Sequence, residues 1–318
     1  MNIIRMSGGL GNQMFQYALY LKLCSLGKEV KFDDINEYRS ENVRPIMLSV
    51  FGIEYPRATW NEIVEFTDGS MDIMKRIRRN LFGRKAIEYC EKGFYDPQVL
   101  SFDSMYLRGS FHSEKYFEDI KDEVRATYRF PDLQGMHLPE KLYNSTMEYL
   151  EQIEAVEAVG IHMYRSDSRT DEELYEGICT EKYYEGAVRY VQEKYPDAVF
   201  YIFSNEPKWV KKWVDHLIKS QITEEMTRAQ IKEMKKHFVM VETNTEYTGY
   251  LDMLLMSKCK HNIISNSSFS WWAAWLNDNA QKIVVAPGRW NNDNDSDDVF
   301  AKGMILVDAE GEVKRQIV

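Results

Sequence analysis

Apolar and polar residues alternate with two different periods near the start of the chain. An apolar run at residues 2–6 is followed by a glycine-rich turn, a stretch with helical spacing to about residue 26, and a second apolar run at 29–32. A strand, a turn, a helix and a strand in this order predict a βαβ unit.

The second half of the chain repeats the same alternation. The pattern predicts strands at residues 159–163, 198–203, 237–241, 262–264 and 282–285, and helices at 181–193, 207–218, 247–258 and 268–276. Strands that alternate with long helices predict a parallel sheet covered on both faces. Ligands of such sheets bind beyond the carboxyl ends of the strands. The polar stretches that follow strands, at residues 8–13, 162–167, 204–205 and 266–268, are therefore predicted to line one site.

The region between these two halves is less regular. Residues 36–108 show poor periodicity, a strand followed by a turn is predicted at 105–111, and a helix is predicted from residue 112 towards 128. Loop-forming residues at 131–139 and a linking helix at 142–153 place a domain boundary near residue 150. We therefore predict two domains, residues 1–150 and 151–318, with a polar, solvated tail after Pro287.

Composition narrows the class of protein. At 318 residues with 44% hydrophobic content the chain can build two cores, and it has neither a run long enough to span a membrane nor a secretory signal. The net charge of −10 disfavours nucleic acid as a partner. The four cysteines are scattered, which fits the reducing cytoplasm and argues against structural zinc.

A basic segment at residues 71–85 carries six lysines and arginines. The first interpretation is a solvated helix face. The alternative is a peripheral docking patch for an anionic membrane, at its inner face, although no clear apolar face in the sequence supports it.

The turn at Asn266, Ser267 and Ser268 lies between a short apolar strand and a helix rich in tryptophan. Such residues cap helix N-termini, and the N–H groups and dipole at a helix start also bind anions. We interpret the anion as a phosphate. The alternative is an ordinary capped helix whose aromatic face, including Trp271, is core.

Residues after the strand at 159–163 carry further candidate chemistry. Arg165 could hold a phosphate in a bidentate manner, and Asp167 could orient that guanidinium or act as a general base; a structural ion pair is the alternative. His162 could contact a nucleotide. Asp252 could accept from guanine, or it could be an ordinary exposed helix residue.

The glycine-rich turn near the start of the chain supports an alternative interpretation of the ligand. Gly9 and Gly11 after a strand, with Asp33 further along, approximate a dinucleotide fingerprint, although Met14 stands where the third glycine belongs. An NAD-dependent enzyme is thus an alternative. Asn12 and Gln13 at the helix start offer directed donors and acceptors.

His112, at the next predicted turn, is either a site residue or a hydrogen-bonded structural histidine. Its segment belongs to one of four sequence blocks that occur in a characteristic order. These are GGLGNQMFQYA at 8–18, SFHSEKYF at 110–117, the HxRRxD-like segment at 162–167 and NSSFSWWAAWLN at 266–277. Through these blocks the chain resembles the bacterial α-1,2-fucosyltransferases of glycosyltransferase family 11, over nearly its whole length.

The resemblance implies an α/β fold of the GT-B class, with two Rossmann-like domains facing each other across a cleft. The N-terminal domain would serve the acceptor side and the C-terminal domain would bind GDP-fucose, without a metal or other cofactor. The reaction implied is inverting transfer of L-fucose to O2 of a terminal β-galactose in a glycan. For the general base we name Asp167 first, followed by Glu172, Glu173 and Glu176 in the next loop.

The same resemblance assigns site residues by position. The catalytic candidates are Asn12, Arg165 and Asp167. The donor-binding candidates are His162, Tyr164, Arg165, Asp252, Asn266, Ser267, Ser268 and Phe269. The acceptor-side candidates are Gly11, Asn12, Gln13, Phe111 and His112.

One position departs from the family pattern. The family usually has two adjacent arginines where this chain has Tyr164 and Arg165. Tyr164 carries no positive charge, so either Arg165 replaces the missing contact or neutral donors hold the diphosphate. The alternative to an active transferase is a non-catalytic or impaired GDP-sugar-binding protein.

Overall fold

The computed structural model describes residues 1–38, 44–70, 72–164, 172–242, 245, 247–294 and 296–318, apart from the side chains of residues 75 and 172. The chain forms two compact units, Met1–Arg129 and Phe130–Val318. No helix within the described residues combines the length and the apolar character needed to span a membrane.

The N-terminal unit is built on a four-stranded sheet in the order β2-β1-β4-β3, in which every described pair of neighbouring strands is parallel. Its strands are β1 (Asn2–Arg5), β2 (Val30–Asp33), β3 (Glu88–Cys90) and β4 (Met105–Arg108). Its helices are α1 (Leu10–Ser25), α2 (Trp60–Thr67), α3 (Ile73–Phe82) and α4 (Lys121–Thr127). The predicted βαβ unit, β1-α1-β2, is thereby confirmed.

The C-terminal unit contains a seven-stranded sheet in the order β11-β10-β9-β8-β5-β6-β7. Its strands are β5 (Ala158–Met163), β6 (Val199–Ser204), β7 (Phe238–Val241), β8 (His261–Ile263), β9 (Val284–Pro287), β10 (Ile305–Val307) and β11 (Val313–Gln316). Its helices are α5 (Glu140–Glu154), α6 (Glu172–Tyr175), α7 (Glu181–Gln192), α8 (Pro207–Gln221), α9 (Arg228–Lys236), α10 (Tyr250–Lys258) and α11 (Ser268–Leu276). All described pairings are parallel except that between β10 and β11.

The central strand β5 shows why the sheet is parallel and covered. All six of its residues are buried, because strands flank it on both sides and helices cover its faces. Val159, Ile161 and Met163 join Trp213 of α8 and Val188 of α7 in one core cluster. The predicted α/β fold, with a Rossmann-like unit built on a parallel sheet in each half of the chain, is confirmed.

The boundary between the units lies earlier in the chain than residue 150, where the sequence predicts it. The linking helix α5 packs its apolar residues, including Leu142 and Leu150, against Leu251 and Leu254 of α10. That shared cluster attaches α5 to the C-terminal unit, so the division falls at Arg129 and Phe130 instead.

Two other predictions from the sequence were wrong. No long helix starts at residue 112; two 3-10 turns, Glu114–Tyr116 and Glu118–Ile120, come first, because the Ser113 hydroxyl accepts from Lys115 N–H and starts a short turn. The segment after Pro287 is not entirely a solvated tail. It adds β10, whose three apolar residues are buried, and the edge strand β11.

Candidate functional site

The turn between β1 and α1 places Asn12 by means of a glycine. Gly8 has a φ of +72°, a region that favours glycine, and a Cβ built on it would lie 2.3 Å from Asn12 Nδ2. The Asn12 side chain thus occupies the space that any other residue at position 8 would fill. The N-cap residue Gly9 provides no side-chain cap for α1.

Two buried glutamines hold this turn in shape. Gln13 is fully buried, and its Nε2 donates to the carbonyl oxygens of Gly8 and Pro45, at 3.0 Å each, while its Oε1 accepts from Met47 N–H at 2.9 Å. Gln16 Nε2 donates to Ser7 Oγ at 3.0 Å and to Gly109 O at 2.9 Å. The structure therefore uses the Gln13 amide, an acceptor-side candidate, inside the protein; the candidate Gly11 is buried as well.

Asn12 is brought together with the candidate His112. His112 Nε2 lies 2.9 Å from Asn12 Oδ1, and the His112 ring packs 5.0 Å from that of Phe15. A carbonyl oxygen accepts, so Nε2 carries the hydrogen in this pair. Burial lowers the pKa of His112 to about 4, which keeps the imidazole neutral near pH 7. The pair is therefore a neutral, polar feature of the site.

The loop that carries His112 is anchored by a carboxylate that the sequence did not reveal. Glu91 Oε2 accepts from the N–H groups of Ser110, at 2.8 Å, and Phe111, at 3.0 Å. A Cβ on Gly109 would lie 2.5 Å from Glu91 Cβ, so glycine permits this approach. Glu91 Oε1 is buried with no hydrogen-bond partner among the described residues. Burial raises the pKa of Glu91 to about 7, although both N–H groups act in the opposite direction.

Phe111, an acceptor-side candidate, is a buried core residue in an unusual conformation. Its φ is +54°, and its side chain is only 1% exposed, packed edge-on against Tyr116. Left-handed conformations in residues other than glycine are costly and cluster at functional sites. Here the conformation turns the chain so that His112 follows directly beside Asn12.

In the C-terminal unit, the turn between β8 and α11 leads into a helix that its N-cap side chain does not cap. Ser267 is the N-cap residue, but its side chain makes no capping hydrogen bond, and the first turn contains no acidic residue. Asn266, Ser267, Ser268 and Phe269 are all partly exposed. The positive end of the helix dipole is thus not neutralised by a capping or acidic side chain in that turn. Trp271, by contrast, is fully buried and donates to Val299 O, which confirms it as core.

A set of hydroxyl and ring contacts ties this turn to the end of β5. His162 Nδ1 lies 3.0 Å from Ser265 Oγ, and Ser270 Oγ donates to the carbonyl oxygens of Ser265 and Ser267. The ring of His162 stacks 5.9 Å from Tyr164 and lies 5.3 Å from Phe269. Three predicted donor-binding residues, one on each side of the strand end and one on α11, are thereby gathered into one cluster.

Asn266 is fixed from two directions. Its Nδ2 donates to Trp290 O at 3.1 Å, and its Oδ1 accepts from the Cys179 thiol at 3.3 Å. Burial raises the pKa of Cys179 to about 12, so the thiol keeps the proton that it donates. The Asn266 amide therefore positions the turn.

The remaining candidates differ in how far the structure describes them. Asp252 is partly exposed in the first turn of α10, which follows β7 and so lies at the carboxyl edge of the sheet, as His162 does. Arg165 and Asp167 lie outside the described residues. Glu173 and Glu176 are exposed, and their backbone carbonyls accept from Asn292 Nδ2; the side chain of Glu172 is outside the described part.

The residues that sequence reasoning missed are those that position others. Ser265 and Ser270 are fully buried hydroxyls, and Ser265 could have been noticed as a polar residue directly after an apolar run. Gln16 could have been noticed as a polar residue within the apolar stretch of α1. Glu91 gives no such signal, because its neighbours show no clear periodicity.

Comparison with known proteins gives relatives over nearly the whole chain. The chain is 28% identical over 298 residues to an alpha-1,2-colitosyltransferase of Escherichia coli, covering 91% of each protein. It is 29% identical over 307 residues to the O-antigen biosynthesis glycosyltransferase WbnK of Escherichia coli, covering 90% of this chain and 93% of WbnK. It is 23% identical over 277 residues to galactoside alpha-(1,2)-fucosyltransferase 1 of Lagothrix lagotricha, covering 85% of this chain and 63% of that protein.

The family profile agrees with these relatives. Glycosyl transferase family 11 matches residues 96–306, a span that includes the His112 loop, β5 with His162, and the turn before α11. Because this match covers more than half of the chain, the protein belongs to glycosyl transferase family 11.

Proposed function

We propose that this glycosyltransferase moves L-fucose from GDP-fucose to the 2-hydroxyl of a terminal β-galactose. The observation that carries the proposal is the N-terminus of α11, where the Ser267 side chain does not cap the helix and the first turn holds no acidic residue. A diphosphate suits that position because it is an anion and can accept from several N–H groups. The names of two relatives, an α-1,2-colitosyltransferase and a galactoside α-1,2-fucosyltransferase, support the linkage.

The proposed reaction is a direct displacement at the anomeric carbon. The acceptor hydroxyl attacks opposite the departing GDP, which leaves with the electrons of the broken bond. Negative charge grows on the leaving diphosphate, so donors fixed there stabilise the transition state more than the ground state. Arg165 and the N–H groups at Ser267 and Ser268 are the proposed donors, and Asp167 is the proposed general base.

Other residues have proposed roles in binding or in the chemical step. The guanosine moiety is assigned to His162 and Asp252, with Tyr164 and Phe269 beside the His162 ring. Asn12, held by Gly8 and His112, is assigned to the chemical step rather than to GDP binding. No metal or organic cofactor enters the proposal; the diphosphate charge is met by the helix start and the guanidinium.

The cysteines favour the cytoplasm as the site of this reaction. Cys24 and Cys90 are exposed free thiols, and the other two cysteines are unpaired as well. Exposed thiols persist unpaired in reducing compartments. We therefore propose that the chain uses a cytoplasmic nucleotide sugar.

The test is transfer from GDP-fucose to lactose in the presence of EDTA, corrected for donor hydrolysis. The expected product is a trisaccharide with a new α-1,2 linkage, identified by mass spectrometry and NMR. GDP-mannose serves as the matched donor control. Absence of product with every β-galactoside tested would refute the acceptor assignment, and loss of product in EDTA would refute metal independence.

A second candidate donor has one specific observation in its favour. The colitosyltransferase is 28% identical over 91% of this chain, so GDP-colitose is assayed beside GDP-fucose. The donor with the higher kcat/KM decides between them. Calorimetry with GDP and with NAD separates both from the dinucleotide alternative, because only GDP is expected to bind.

Two variants test whether the departure at Tyr164 matters. Tyr164→Arg restores the family's arginine pair and is expected to raise kcat/KM by about tenfold, the effect of one added hydrogen bond to a charged group. Arg165→Ala is expected to lower it by at least that factor. An Arg165→Ala variant with unchanged turnover would remove Arg165 from the mechanism.

A further inference from the structure

Helix α3 exposes an unusual amount of apolar surface. The exposed fractions are 72% for Ile73, 74% for Met74, 49% for Ile77, 69% for Leu81 and 75% for Phe82. Isolated exposed apolar residues are ordinary, but a contiguous set on one short helix indicates a binding surface. We call these five residues the α3 apolar face.

The attachment of α3 to its unit turns this face outward. Arg78 forms an ion pair with Asp68, and Arg79 donates to the backbone carbonyl oxygens of Asp68, at 2.8 Å, and Ser70, at 2.5 Å. At 3.6 residues per turn, Ile73, Ile77 and Leu81 share one stripe on the side away from Arg79. Met74 lies beside that stripe, and Arg78 comes between Met74 and Phe82. The two arginines are therefore structural, and the apolar stripe has no cover within the described N-terminal unit.

The charges beside the apolar face are positive. Residues 72–85 contain six lysines and arginines against one aspartate, in a chain whose net charge is −10. Arg76 and Lys85 are exposed, and neither side chain forms an ion pair with any residue that the structure describes. Arg84 donates to Thr67 O at 2.8 Å, lies 3.7 Å from Glu88 and is more than half exposed. Arg76, Arg84 and Lys85 thus lie next to the apolar residues along the chain.

An anionic lipid surface fits this arrangement better than a second copy of the chain does. A symmetric contact between two α3 faces would bring their cationic borders together, which is unfavourable. An apolar face bordered by arginine and lysine is typical of helices that lie in the interface of an anionic bilayer. The negative charge of the rest of the chain would orient the protein with α3 towards such a surface.

We propose that α3 docks this enzyme on anionic lipid, with the α3 apolar face in the interfacial region and Arg76, Arg84 and Lys85 on the headgroups. The sequence lacked a visible apolar face because its five apolar residues are interspersed with basic ones; the structure supplies the missing geometry. The helix has ten residues, so docking is reversible and needs both the apolar and the ionic contribution. This inference is independent of which sugar the enzyme transfers.

The experiment is flotation of the full chain with two kinds of vesicle, phosphatidylcholine alone and phosphatidylcholine with phosphatidylglycerol. Binding is expected only to the anionic vesicles, and raised salt is expected to weaken it. The double variant Leu81→Ser, Phe82→Ser and, separately, Arg76→Glu are each expected to lower the partition coefficient by about tenfold. The matched control is Leu26→Ser, which changes a residue of the same unit that is 46% exposed, and it is expected to bind as wild type does.

Activity on a soluble acceptor separates this proposal from the proposed function. The double variant is expected to keep the wild-type rate with lactose, because the change touches none of the candidate site residues. Equal binding of wild type and double variant to anionic vesicles overturns the proposal. Concentration-dependent self-association in sedimentation, lost in the double variant and without vesicle binding, also overturns it and assigns the face to a second copy.

Discussion

The two strand-turn-helix starts, β1-α1 and β8-α11, are alike in outline and opposite in how they use their side chains. Neither helix has a side-chain cap or an acidic residue in its first turn. At the β1-α1 start, the side chains of Gln13 and Gln16 are buried and form hydrogen bonds within the protein. At the β8-α11 start, Ser267 and Ser268 are partly exposed.

This difference suggests that the β1-α1 turn serves to position Asn12, whereas the β8-α11 turn serves to bind a ligand. The β1-α1 turn is rigid because buried amides and Gly8 determine where Asn12 lies, which suits a residue needed for one geometric step. In the β8-α11 turn the supporting residues Ser265 and Ser270 are buried, whereas Asn266, Ser267 and Ser268 are partly exposed. A charged ligand is expected at the second turn and a fixed neutral contact at the first.

The largest effect should come from Gly8→Ala. The new Cβ would meet Asn12 Nδ2 at 2.3 Å, so Asn12 must move, and we expect kcat to fall by about 100-fold, as for loss of a preorganised donor. GDP affinity, measured by calorimetry, should stay within about twofold, because the second turn is intact.

Gly27→Ala is the matched control for this substitution. Gly27 has a φ of +75°, like that of Gly8, but a Cβ there would meet nothing within 4 Å. Both variants should lose about 1 kcal/mol of unfolding free energy from backbone strain, whereas only Gly8→Ala should lose turnover. Equal kcat values for the two variants would show that Asn12 is not needed for the chemical step.

The next effect concerns Ser267→Ala. Its hydroxyl does not cap α11, so the unfolding free energy should change by less than about 0.5 kcal/mol. GDP affinity should fall by about tenfold, because we expect the Ser267 hydroxyl to donate to the diphosphate in addition to the N–H group, and the substitution removes that hydrogen bond to a charged group. Thr59→Ala is the contrasting control: Thr59 caps α2 through Glu62 N–H, and its loss should cost about 1 kcal/mol with GDP affinity unchanged. A stability loss in Ser267→Ala equal to that of Thr59→Ala, with unchanged GDP binding, would identify Ser267 as an ordinary cap.

The sequence predicts where these strands and turns lie better than it predicts which residues anchor them. Strands such as β5 are visible as apolar runs, and the glycines and serines mark the turns. The anchoring of Phe111 by Glu91 could not be predicted, because the two residues are distant in sequence and the carboxylate lies in an irregular region. The same holds for β10, which is too short to give a clear pattern and is buried because it pairs with β9 and β11 and packs into the core through Val307.

In the segment after His112, local hydrogen bonds determine the backbone conformation more than hydrophobic periodicity does. The run after His112 has helical spacing, but the Ser113 hydroxyl and the left-handed Phe111 impose short turns before α4 begins. For Gln13, residue type correctly suggested directed hydrogen bonds, but the sequence could not tell whether their partners belong to the protein or to a ligand. Burial decides that question, and burial depends on the whole unit.

A smaller effect is expected at Glu91. Burial raises its pKa from 4.5 to about 7, so between these pH values the native state binds more protons than the unfolded state and stability falls as pH rises. Glu91→Gln keeps an acceptor for Ser110 and Phe111, and should remove this slope in urea unfolding while keeping kcat within about threefold. Glu91→Ala removes the acceptor and should lower kcat by about tenfold, since the His112 loop loses its anchor. Identical pH slopes for wild type and Glu91→Gln would contradict the buried carboxyl.

The smallest effect is an absence of titration at His112. Burial lowers its pKa from 6.5 to about 4, so the unfolded state binds more protons between these values and this group adds stability as pH rises through that window. The imidazole carbon resonances of His112, assigned by comparison with His112→Gln, should therefore stay constant between about pH 8 and pH 5, as expected for a neutral ring. In urea the same residue should titrate near 6.5, which provides the control within one sample. A native midpoint near 6.5 would mean that the His112 ring becomes charged beside Asn12 below that pH, and the contrast between a neutral β1-α1 turn and the proposed anion site at the β8-α11 turn would no longer hold there.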